Sequence, residues 1–105
     1  MKAIKINIKR LIETGYPGYA ECSFYDASYN EHIVHEKIPI VTDKDLDENS
    51  KYPQEGIIAC EVINEWKDIT GKLIFTVNTE KPWGVNTIEG LTKFDLLEEQ
   101  LTEFP

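Results

Sequence analysis

Cysteine, histidine and basic residues are scarce in this chain, and each scarcity closes off a class of chemistry. Cys22 and Cys60 are the only cysteines among 105 residues, and they make neither a C-x-x-C pair nor a zinc-like spacing. His32 and His35 are the only histidines. Their spacing of three sends them to opposite faces of a strand, so they cannot form a metal pair and read as isolated surface or edge residues, with a lone general base as the alternative. No nucleophile stands at usable spacing from a base, and no glycine loop suits phosphate. The sequence thus nominates no catalytic residue, no metal site and no cofactor. Residues 1 to 13 interrupt their apolar positions with lysine or arginine every few residues, which leaves no signal-peptide core or membrane span and makes the cytoplasm the expected location.

Basic charge is also unevenly placed. Lys2, Lys5, Lys9 and Arg10 fall in the first ten residues, and the remaining 95 carry seven basic against nineteen acidic residues, for a net charge of -8. Such a field repels phosphate backbones, which argues against nucleic-acid partners and favours a basic protein.

What is present is a period of two. Ile4, Ile6 and Ile8 alternate with Lys5, Asn7 and Lys9, and the pattern recurs in later stretches bounded by turn residues. A first strand over about 2–12 ends at Gly15-Tyr16-Pro17-Gly18. A second over about 19–27 turns it into a hairpin, with Ala20, Cys22 and Phe24 inward and Tyr25 outward. A third spans about 32–41. The polar connection 42–56 has Thr42 and Asp45 at capping-box spacing, which predicts a helical turn there. A fourth strand runs from Gly56 to about Ile69 with Ile58, Cys60, Val62 and Trp66 inward, and Thr70-Gly71 turns it into a fifth over 72–79. After the loop 80–90, a sixth covers 91–97 and leads into a short helical turn. At 105 residues, enough for one core, the expectation is a single domain, 1–105, mainly β. Its architecture is a small antiparallel six-stranded barrel of OB-like or SH3-like type, with α+β and a C-terminal packing helix as the alternative.

Two loops carry the candidate binding residues. Asp43, Asp45 and Asp47 open like a calcium loop, but Glu48 stands where the sharp turn needs glycine and Gln54 where the bidentate glutamate belongs, so the run is a solvated acidic loop suited to a basic partner. In 80–90, Trp83 between Pro82 and Gly84 suits either a plug folded over the barrel end or a binding anchor, with Val85 and Ile88 beside it. Cys22 and Cys60 lie on inward parity and read as buried, reduced thiols.

The segments YPQEGIIACEVINEW, from Tyr52 to Trp66, and PWGVNTIEG, from Pro82 to Gly90, resemble a group of small uncharacterised bacterial proteins, and the resemblance carries no activity with it. The functional expectation is a non-enzymatic acidic binding module for a basic protein, as an inhibitor, an immunity-type antidote or a regulatory subunit. The alternatives are a small enzyme or ligand-binding barrel with a histidine–carboxylate site, and a homo-oligomer paired through an edge strand.

Overall fold

The computed structural model describes all 105 residues and is mainly β, with 51% of residues in strands and 7% in helices. The alternating isoleucines form β1 (Lys2–Glu13), and β2 (Tyr19–Tyr25) and β3 (Glu31–Lys37) fold back from it as an antiparallel meander. On its other side β1 pairs with β4 (Gln54–Lys67), which pairs with β5 (Leu73–Asn78), and β5 pairs with β6 (Lys93–Leu97). The order β3-β2-β1-β4-β5-β6 is antiparallel throughout and curls into a half-barrel, in keeping with the small barrel expected. No helix is long and apolar enough to cross a membrane.

The inward parity fills the core. Ile4, Ile6 and Ile8 meet Ala20, Cys22 and Phe24 from β2, Ile58 and Cys60 from β4, Phe75 and Val77 from β5, and Phe94 and Leu96 from β6. No ladder joins β3 to β6. Side chains and loops close that seam instead. Phe24 meets Phe94 edge-on at 5.0 Å between centroids, and the His32 ring lies 5.2 Å from Phe24 and 4.9 Å from Phe94. Ile88 N–H donates to Ile33 O at the β3 edge, and Ala27 N–H donates to Asp95 O at the β6 edge. Each edge thereby loses part of its capacity to pair elsewhere.

Several local expectations change. The third strand stops at Lys37, and Ile38–Val41 form a single helical turn, α1, with Pro39 in its first turn, where a fixed φ suits a helix and no N–H is missed. Ile38 and Val41 are buried in the core, so α1 closes one barrel end. Gly56 permits this approach, because a Cβ there would stand 2.8 Å from Val41 O. Thr42 does not start a helix. It ends α1, its N–H donating to Ile38 O, and its Oγ1 accepts from Lys44 N–H.

Trp66 is not inward. The β4–β5 register shifts between Val62 and Asn64, so one extra residue in β4 exchanges the faces beyond it. Trp66 sits opposite Ile74, and its indole N–H donates to Thr76 Oγ1 at 3.0 Å on the outer face. At the tail, a 3-10 turn over Glu98–Gln100 occupies the position of the expected helical turn. No packing helix follows. Leu101–Glu103 form β7, which pairs with Lys2–Ile4 of β1.

Candidate functional site

Outward parity on β1 and β4 sets the floor of a broad groove. Lys5 pairs with Ile57 and Asn7 with Glu55 across the ladder. Walls rise on both sides, from Ile40 of α1 and the following Asp43 and Lys44, and from Trp83 and Phe104, enclosing about 900 Å³. β7 makes this possible, since pairing it with the start of β1 carries Phe104 to the site, its N–H donating to Met1 O at 2.8 Å.

The expected binding residues divide. Trp83 is 52% exposed and lines the groove beside Asp43, so its indole is not a barrel plug; α1 has that place. Val85 is buried in the core, its N–H donating to Thr79 O and its carbonyl accepting from Thr79 Oγ1. Ile88 is 59% exposed but lies outside the groove, on the loop that bonds to β3. Asp45 is exposed and also outside the groove. Asp47 organises its own loop: its Oδ1 accepts from Asn49 N–H and its carbonyl accepts from Tyr52 O–H. No three His, Cys, Asp or Glu side chains converge on a point where a metal could sit.

Charge is distributed with a pattern the sequence conceals. Three of the four early cations are held by carboxylates: Lys2 by Glu103 at 2.7 Å, Lys9 by Glu31 at 3.6 Å, and Arg10 by Glu21 at 3.2 Å. Lys5 has no such partner and faces the groove. Asp43, Asp45, Asp47 and Glu48 are all exposed and none is ion-paired. The groove thus opens beside an unneutralised acidic loop.

The histidines do point to opposite faces, but neither is isolated. His32 Nε2 lies 2.9 Å from Asp26 Oδ2 with its ring against Phe24 and Phe94, and His35 Nε2 lies 3.2 Å from Glu21 Oε1 on the outside. Burial raises the Asp26 carboxyl, but hydrogen bonds from His32 and from the Asn30 and Ser28 amides outweigh it and hold the group below its ordinary value. Glu21 is lowered by hydrogen bonds from His35 and then Arg10. Neither histidine lines the groove. Burial pushes the Cys22 thiol up to about 12 and Cys60 to about 11, and both are free. Such thiols are poor nucleophiles.

Sequence reasoning missed Lys5, Ile40 and Phe104. Pro39 was the one local signal available for α1; Phe104 reaches the groove only through a long-range ladder that no spacing reveals. No family model, curated protein or solved structure matches the chain, so the groove is interpreted from its own geometry.

Proposed function

We propose that this chain is a cytoplasmic, non-enzymatic binding module that docks a basic protein partner in the groove beside Trp83, as an inhibitor, an immunity-type antidote or a regulatory subunit would. The observation that carries this is the exposed indole of Trp83 standing with Ile40 and Phe104 in one groove that borders the unpaired carboxylates of 43–48. A half-exposed tryptophan flanked by apolar walls matches the anchors that dominate interface energetics, and surplus acidic charge speeds encounter with a basic surface. Two free buried cysteines accord with a reducing compartment. The acidic field disfavours nucleic acid.

An enzyme built on His32 and Asp26 has less support. Their 2.9 Å contact resembles an acid–base pair, but the ring is packed against Phe24 and Phe94 at the seam and does not line the groove. The test is capture from lysate by the parent and by Trp83→Ala at low and high salt. The binding reading expects a basic partner that is released by salt and lost by Trp83→Ala with little change in melting temperature. A partner held equally by both proteins would remove the groove from the interface.

A further inference from the structure

Beyond Cys60 the strand β4 outruns its neighbour. β1 stops at Lys2, opposite Cys60, and the distal half of β4, Glu61–Lys67, pairs with β5 alone. No backbone hydrogen bond from a loop reaches residues 61–67. That edge is open. Asp68 N–H donates to Lys72 O at 2.9 Å across the hairpin, and alternation along an antiparallel pair then turns the backbone groups of Trp66 and Asn64 toward β5. The N–H and C=O of Glu65 and Lys67 point away, toward solvent.

We infer that this edge is an interface between two copies of the chain, paired antiparallel about a two-fold axis at Trp66. The sequence Ile63-Asn64-Glu65-Trp66-Lys67-Asp68-Ile69 is complementary to itself in that register. Trp66 meets Trp66 at the axis, Glu65 meets Lys67 on either side, and Asn64 and then Ile63 approach Asp68 and Ile69. Glu65 and Lys67 are the residues whose backbone groups are free, so the ion pairs coincide with the hydrogen-bonded positions. Trp66 takes the closer, non-hydrogen-bonded position, where opposing side chains approach most. Shifting the axis one residue sets Glu65 against Glu65 or Lys67 against Lys67, which is unfavourable.

Exposure fits the same register. Ile63, Trp66 and Ile69 are 45%, 39% and 103% exposed, three large apolar side chains on one projecting hairpin, and the pairing sets each against another of the three. The hairpin carries Lys67 and Lys72 among Glu61, Glu65 and Asp68, so two copies of a chain with net charge -8 meet where acidic and basic residues nearly cancel. A bulge commonly protects an edge. Here it lies between Val62 and Asn64 and leaves Asn64–Lys67 in regular register. A C2 contact of this kind uses the same patch on both partners and closes without forming fibres.

An interface this short buries less than about 1,000 Å² and gives a weak dimer. Sedimentation velocity of the full chain from about 1 µM to about 1 mM spans the affinities such a contact supports. The parent is expected to shift toward dimer as concentration rises. Lys67→Glu and Glu65→Lys each set like charges against one another twice, and each should weaken dimerisation about tenfold. The double variant Glu65→Lys/Lys67→Glu should restore it, and Trp83→Ala should dimerise as the parent does. A parent that stays monomeric throughout, or single reversals that dimerise undiminished, would overturn the interface. So would a double variant that stays monomeric while its far-ultraviolet circular dichroism matches the parent.

Discussion

The two halves of β4 belong to one strand, offset by the bulge at Ile63, and have opposite surroundings. In Gln54–Cys60 the ladder to β1 and the barrel core cover Ile58, Ala59 and Cys60 completely. In Glu61–Lys67 no strand lies on the β1 side, and Ile63 and Trp66 reach solvent. Alternation therefore reports that a segment is extended, while burial is conferred by whatever layer the rest of the chain supplies. The proximal half is covered by β1 and the core, whereas the distal half is held to the barrel through β5 alone.

The sharpest way to break that contrast is to alter side chains on either side of Cys60. Ile58→Ala removes a fully buried core side chain and should cost about 2–5 kcal/mol in denaturant unfolding. Gly56→Ala is next. Its added methyl group would meet the Val41 carbonyl at 2.8 Å and Ile8 Cδ1 at 2.9 Å, and because one of these is backbone the strain should cost about 1–3 kcal/mol. In the distal half, Trp66→Ala at dilute concentration should cost about 1–2 kcal/mol, since the indole is 39% exposed and keeps one hydrogen bond to Thr76. If Trp66→Ala destabilised the monomer more than Ile58→Ala, the distal hairpin would be part of the core and the division of β4 would fail.

Why part of this was legible and part was not follows from the range of the interactions. Ile4, Ile6 and Ile8 show β1 because a half-buried strand writes its period into adjacent residues, and Gly15 to Gly18 show its end because turns need local dihedral freedom. Ile38 and Ile40 imitate the same alternation. Pro39 between them is the evidence for a helical start, and the two signals conflict within four residues. The bulge at Ile63 leaves no trace in composition, yet it moves Trp66 to the outer face. The groove is the least legible feature, because Lys5, Asp43, Trp83 and Phe104 are drawn from four segments and meet only when β7 pairs with β1. Trp83 and Asp43 were found as loop residues of suitable chemistry. Val85 looked equivalent to Trp83 in sequence and differs only because Thr79 bonds both its amide and its carbonyl into the core.

The smallest expected effect compares two aspartates that organise turns, one in the barrel and one in the projecting hairpin. Asp26 caps the β2–β3 connection by accepting from Ser28 and Asn30 amides and from His32, and its carbonyl accepts from Gln100 Nε2, so it ties the seam together. Asp68 accepts from Thr70 Oγ1 and from the Thr70 and Lys72 amides at the tip of the β4–β5 hairpin. Both carboxyls are held below their ordinary value, Asp26 against its burial and Asp68 chiefly by the Thr70 hydroxyl. A depressed folded pKa means the native state binds fewer protons than the unfolded chain, so the stabilisation is present above the ordinary carboxylate value and lost as pH falls through the folded one. Acid unfolding between neutral pH and about pH 2 should therefore begin below about pH 4, the ordinary aspartate range. In Asp26→Asn, part of that pH dependence should be gone, with the neutral-pH stability lowered toward the acid value. Asp68→Asn should depart less from the parent curve, because the half-exposed carboxylate bonds only within its own turn and is screened by solvent. If instead Asp68→Asn flattened the acid profile and Asp26→Asn left it unchanged, the hairpin turn would be coupled to global unfolding more tightly than the barrel seam, and the distal half of β4 would have to be counted with the core.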